Sequence, residues 1–159
     1  MRAFVAATQP DVWRLCAHLG DRDAADDLTQ ETYLRAVKAL RRFRGDSPVR
    51  PWLFTIVRRV VADDIAARQR RRNHPVDQSW LTEVDDHADS VSTHALIAGL
   101  DLERREAFVL TQLLGYSYAD AAGICGCPVG TIRSRVARAR EQLVAMMGED
   151  QTPTAEQTA

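Results

Sequence analysis

Between Pro128 and Arg140 the chain carries four arginines, Arg133, Arg135, Arg138 and Arg140, and no acid. A guanidinium holds its donors in a rigid fork that matches guanine O6 and N7, or a pair of phosphate oxygens. Ile132, Val136, Ala139 and Leu143 recur among them at helical spacing, so a helix here would bury these four and turn most of the arginines outward. The residues before it say where that helix starts. Ser117 and Asp120 have the form of a helix cap with its reciprocal acidic partner. Ala121 and Ala122 are small enough for a second helix to cross closely. Gly126 tolerates a left-handed turn, and Pro128 suits a first helical turn that needs no N–H. The spacing predicts a helix-turn-helix whose second helix lies against DNA. An ordinary amphipathic helix with a solvated basic face would account for the arginines, but not for the cap, the turn glycine and the proline together.

No set of residues suggests covalent chemistry. There is no Ser-His-Asp or Cys-His pattern, glycine-rich phosphate loop or metal-ligand spacing. Cys16, Cys125 and Cys127 are odd in number, and the last two are too close in sequence for an ordinary disulfide framework. They read as small, partly buried thiols. No cofactor and no metal is implied.

The chain has 159 residues and a formal net charge of −1, which evenly spread would argue against nucleic acid. The charge is segregated instead. From Arg35 to Arg72 there are twelve Lys or Arg against three acids, and from Asn73 to Asp101 there are six acids and no Lys or Arg. A basic block, an acidic bridge and a second basic helix suit a protein that meets phosphates at two places. Nothing at the start looks like a signal peptide, and no run approaches the ~20 apolar residues that cross a bilayer. The expected location is the cytoplasm, without membrane insertion.

The elements that would position these groups are helices. Phe4 to Leu19 is a short amphipathic stretch ending at Gly20. A helix from Asp23 to Leu40 has Asp26 and Asp27 at its positive end. Residues 41–50 read as a loop, and a third helix from about Pro51 has Leu53, Ile56, Val57, Val60, Val61 and Ile65 on its buried side. The expected architecture is all-α, with two small helical domains over 1–70 and 92–147, an acidic linker over 71–91 and a disordered tail over 148–159. In the second domain Asp101 begins a helix that ends at Gly115, ahead of the helix-turn-helix.

Three separated motifs, DDLTQETYLRAVKAL at 26–40, FRGDSPVRPWLFTIVRRVVADDI at 43–65 and YSYADAAGICGCPVGTIRSRVARAREQL at 116–143, carry a resemblance. In this order and spacing the chain resembles the extracytoplasmic-function (ECF, group IV) sigma factors of the sigma-70 family, over about residues 2–147. Its arginine-rich, nearly lysine-free composition hints at an actinobacterial source. The resemblance implies a sigma-2 domain, then a sigma-4 domain, and a subunit that binds core RNA polymerase through the β′ coiled coil and the β flap. It would direct transcription initiation at promoter DNA by recognising −35 and −10 elements.

By that resemblance Asp27, Gln30, Glu31 and Arg35 contact the polymerase. Phe43, Arg44, Asp46 and Ser47 belong to the loop that captures a flipped −10 base, which needs a pocket and a few polar groups. Phe43 also suits an anchor to the core, and Trp52 reads as core packing. Arg58, Arg59 and Asp63 occupy the −10-reading face, with Arg59 where many relatives have asparagine. Arg133, Ser134 and Arg138 match −35 contacts, while Thr131 and Arg135 suit phosphates. The linker would thread near the polymerase active centre, and an anti-sigma factor is a further expected partner. Relatives usually carry an additional stretch before the first helix; this chain begins close to Arg2.

Two other classes fit part of the pattern. A helix-turn-helix repressor would bind duplex DNA alone, although a sensing domain has little use for so basic a third helix. A redox-sensing protein would use Cys125 and Cys127, and that requires a thiol of lowered pKa.

Overall fold

The computed structural model describes residues 2–149 apart from 44, 46–47 and 74–87. Among these residues every regular element is helical. Helices α1 (Arg2–Leu19), α2 (Ala25–Leu40) and α3 (Val49–Asn73) form the first half. Helices α4 (Ala88–Ala98), α5 (Leu102–Phe108), α6 (Tyr118–Cys125) and α7 (Val129–Glu149) form the second. Between α5 and α6 the chain makes a π turn over Val109–Leu113, where the Leu114 N–H reaches back five residues to the Val109 carbonyl at 3.0 Å.

The apolar stripe of α3 drives the first half together. Leu53, Phe54, Ile56, Val57, Val60 and Val61 are all buried, against Val12, Leu15 and Leu19 of α1 and Leu28 of α2. Each such side chain contributes about 1.5–3 kcal/mol relative to exposure. The corner between α1 and α2 needs Gly20, because a Cβ there would lie 2.9 Å from both the Cys16 carbonyl oxygen and Leu28 Cδ1. Trp52 packs against the core, as expected, and Phe43 stacks on it with ring centroids 4.8 Å apart.

Helix α3 starts two residues before Pro51, which stands in its first turn, where no helical N–H partner is required. It continues to Asn73, beyond the expected boundary, with Arg70, Arg71 and Arg72 at the end where the helix dipole favours cations. Helix α4 likewise begins at Ala88, inside the stretch read as linker. The remainder of that stretch, 74–87, lies outside the described residues, as do residues 150–159 of the expected tail.

The two halves share one continuous core. Helix α3 meets α6, while α1 meets α4 and α5. Phe54 of α3 receives Tyr116 edge-on, with centroids 5.2 Å apart and planes at 73°. Polar contacts cross the same junction: Arg105 donates to the Leu19 carbonyl at 3.4 Å, and His18 faces His94 with ring centroids 5.2 Å apart.

Candidate nucleic-acid interface

The helix-turn-helix is built as its residues dictate. The Ser117 hydroxyl accepts from the Asp120 N–H at 3.0 Å and donates to its carboxylate at 2.6 Å, which caps α6. Helix α6 stops at Gly126, held at φ 66° and ψ 38°, the left-handed region that a Cβ disfavours. Pro128 then precedes α7, and its carbonyl accepts from the Thr131 N–H at 2.9 Å. Ile132, Val136 and Ala139 are buried, and Leu143 is half-buried.

That burial fixes what α7 presents. Arg133, Ser134 and Arg138 are exposed and Thr131 is half-buried. Among the described residues neither Arg133 nor Arg138 makes an ion pair, so both forks are open to a ligand. The Ser134 hydroxyl donates to the Thr131 carbonyl at 2.9 Å, a back-bond within the helix. Arg135 differs. Its side chain is largely covered and donates to Glu103 of α5 at 2.5 Å, which ties the reading helix to its own domain. Arg140 donates to Gln112 at 2.5 Å.

On α3, Arg59 is exposed. Arg58 is not presented with it. Its Nε pairs with the buried Glu106 of α5, and its Nη1 donates to the Ile124 carbonyl at 2.8 Å, at the end of α6. Asp63 is exposed and accepts from Arg35 of α2 at 2.6 Å. Arg35 also donates to Glu31 at 2.7 Å, one helical turn back, and these two hydrogen bonds raise its pKa above the usual arginine value. The structure thus brings together one residue expected at the polymerase and one expected at the −10 element. Of the flipped-base loop, Phe43 is half-buried against Trp52; Arg44, Asp46 and Ser47 lie outside the described residues.

On α2 the residues expected at the polymerase share a surface. Asp27 and Gln30 are exposed, Glu31 and Arg35 are half-buried, and Leu34 and Val37 are exposed beside them at 59% and 52%. Two large apolar side chains on an otherwise polar face mark a surface fit for a partner.

The sequence pattern described as sigma-70 region 2 matches residues 4–71, and that described as sigma-70 region 4 matches residues 90–143. The ECF RNA polymerase sigma factor SigC of Mycobacterium tuberculosis is 54% identical over 151 residues, which cover 91% of this chain and 82% of the relative. The chain belongs to the ECF sigma factors. It is an alternative sigma factor, a transcription initiation factor that acts with core RNA polymerase on promoter DNA. The ECF sigma factor EcfG of Rhodopseudomonas palustris is 41% identical over 157 residues, covering 94% of this chain and 86% of the relative. Among solved structures, the sigma factor RpoE of Bartonella quintana, in complex with the anti-sigma factor NepR, superposes with a TM-score of 0.78. It is 30% identical, covering 94% of this chain and 98% of that one. CnrH, in complex with the cytosolic domain of CnrY, gives a TM-score of 0.73 at 27% identity, with coverages of 94% and 88%.

Sequence reasoning overlooked Glu106 in this sigma factor. It stands at helical spacing between Leu102 and Leu110, a place where the pattern of α5 calls for an apolar residue. A lone acid on an apolar stripe was the available signal for a buried ion pair. The cysteines point away from redox chemistry. Burial, reinforced by the negative charge of Glu106, pushes the Cys125 thiol up to about 12, and burial pushes Cys16 to about 11. A redox-active thiol needs the opposite shift. Among the described residues no cluster of three or more His, Cys, Asp or Glu could hold a metal, and no helix is long and apolar enough to cross a membrane.

Proposed function

We propose that this sigma factor reads promoters with two helices and docks on polymerase with a third. Arg133, Ser134 and Arg138 of α7 contact bases of the −35 element, with Thr131 and Arg135 placed for phosphates. Arg59 and Asp63 of α3, joined by Arg58 once it leaves Glu106, face the −10 element, and Phe43, Arg44, Asp46 and Ser47 capture its flipped base. Asp27, Gln30, Glu31 and Arg35 of α2 meet the β′ coiled coil around the exposed Leu34 and Val37, while the second domain meets the β flap. The protein works in the cytoplasm by binding alone, without covalent chemistry of its own. An anti-sigma factor, the kind of partner bound by RpoE, is a fitting regulator for the same surfaces.

The observation that carries this reading is the division of α7 into a buried stripe and an exposed Arg133 and Arg138, neither in an ion pair among the described residues, set directly behind the Gly126 turn. Reconstituted transcription tests it. Purified chain and bacterial core polymerase should give discrete starts downstream of shared −35 and −10 elements. Arg133→Ala and Arg138→Ala should weaken initiation according to the −35 sequence, and Leu34→Asp should remove it on every promoter. No added initiation, with tight duplex binding by the chain alone, would instead identify a repressor.

A further inference from the structure

A cavity of about 600 Å³ lies where α1 faces α4 and the π turn, away from the faces of α3 and α7 assigned to DNA. Its volume falls in the range of small-molecule sites, roughly 300–1,000 Å³. Four basic side chains line it: Arg14 and His18 of α1, Arg22 of the following turn, and His94 of α4. Among the described residues no carboxylate lines it. Two acids stand at its margin: Asp21, paired with Arg68 and also felt by His94, and Asp26, which accepts from the indole N–H of the lining residue Trp13 at 2.8 Å. Arg105, close by on α5, donates among the described residues to main-chain carbonyls, those of Leu19, Ala98 and Leu100. Among the described residues the lining is therefore predominantly positive, with Asp21 partly offsetting the cations at His94.

We propose that this cavity binds a small phosphate-bearing anion, gripped by Arg14 and Arg22 and by one histidine from each half of the protein. Guanidinium forks match phosphate oxygens two at a time, and several donors converging on one space suit a polyanion better than a single carboxylate. Trp13 adds a flat apolar surface for a base or another planar group. The histidines report the same field. His18 Nδ1 is buried without a hydrogen-bond partner among the described residues. Burial, with the neighbouring cations, holds both rings below the usual histidine pKa. An anion would reverse that pressure, so binding is coupled to proton uptake by His18 and His94. Because the two rings belong to different halves, the ligand would also clamp the halves together.

Calorimetric titration of the full chain with inorganic pyrophosphate, and separately with ATP, tests this near pH 6.5 at fixed ionic strength. The expected result is one saturable site per chain, with heats that vary with the buffer's ionisation enthalpy because protons are taken up. Arg14→Ala and Arg22→Ala should each weaken binding about tenfold or more. Lys38→Ala, on an exposed face elsewhere, should leave it unchanged. His18→Gln with His94→Gln should remove the protein's share of the proton uptake, leaving only the buffer dependence of the ligand's own phosphate ionisation, whose second pKa is about 6. Tighter binding of ATP than of pyrophosphate would assign Trp13 to the base, and equal binding would assign recognition to the phosphates alone. Absence of saturable binding, several weak equivalents, or affinity indifferent to Arg14 and Arg22 would overturn the proposal. Arg14 and Arg22 are exposed, so their replacement should leave the helical circular dichroism intact. None of these outcomes bears on promoter reading, which the transcription assay tests separately.

Discussion

Arg58 and Glu106 form an ion pair across 48 residues of chain, and it joins the α3 helix to α5 in the other half. Glu106 is 5% exposed, while about a third of the Arg58 side chain still meets solvent. The pair therefore ties the junction while keeping Arg58 off the exposed face that carries Arg59. Glu106→Gln should weaken the junction by about 1–2 kcal/mol, since a charged acceptor is lost and only a neutral one remains. Hydrogen exchange should quicken in α6, where the Ile124 carbonyl also depends on Arg58, and a fluorescence-transfer pair on α2 and α7 should move apart. Unchanged exchange and distance would mean that apolar contacts such as Phe54–Tyr116 hold the junction without the pair.

Arg133 should behave as a base reader and Arg135 as an anchor. Arg133→Ala should cost about 1–3 kcal/mol on the preferred −35 sequence and much less on a sequence changed at the contacted base pair. Arg135→Ala, which removes the contact to Glu103, should lower the thermal midpoint as well as weaken all sequences alike. Binding curves against a panel of singly substituted −35 duplexes, with melting curves of both variants, separate the two roles.

Thiol chemistry should be slow. With Cys125 at about 12 and Cys16 at about 11, less than about one part in a thousand of either is thiolate at pH 8. A thiol reagent should label at most the half-buried Cys127 in the native chain, and all three cysteines after denaturation. Rapid native labelling of Cys125 would revive a redox role.

Acid should loosen the contact between α1 and α4. His18 and His94 are held below the ordinary histidine value of 6.5, first by burial; the charges of His94, Arg22 and Arg14 add to it at His18, those of Arg22 and Arg105 at His94, and Asp21 opposes it at His94. The packed state favours the neutral rings, so their contribution is complete above pH 6.5 and is lost as the pH falls below it. Thermal melts between pH 7.5 and 5 should show the fall, and His18→Gln with His94→Gln should flatten it. A pH-independent midpoint in the parent would show that the rings stay neutral at no cost to packing.

Local structure was largely legible in the residues. The Ser117 cap, the left-handed Gly126, the Asp101 start of α5 and the apolar stripe of α3 each depend on neighbours within a few positions, and their chemistry leaves a periodic trace. The junction left no such trace. Arg58 and Arg59 look alike in sequence, yet one is drawn to Glu106 and Ile124 while the other faces solvent. Arg35 and Asp63 carry expectations from different surfaces and meet because α2 lies beside α3. Helix α3 runs to Asn73 and α4 starts at Ala88, both within a charged stretch whose lack of apolar periodicity reads as linker. At a helix terminus such residues also serve the dipole.

The π turn over Val109–Leu113 sets the phase of everything after it. A π turn holds one residue more than an α turn, so each residue beyond it stands where an uninterrupted helix would place its predecessor, about 100° and about 1.5 Å back. Tyr116 comes round to Phe54 with that offset in place, and α6 and α7 follow from Tyr116. The heading of the basic helix thus depends on a count of residues more than on their identity. Conservative substitutions between Val109 and Leu113 leave that count alone, and deleting a single residue there would let the bulge relax to an ordinary turn with α7 near its present heading, whereas adding a further residue, beyond what the bulge absorbs, would swing the arginines of α7 to a different compass bearing.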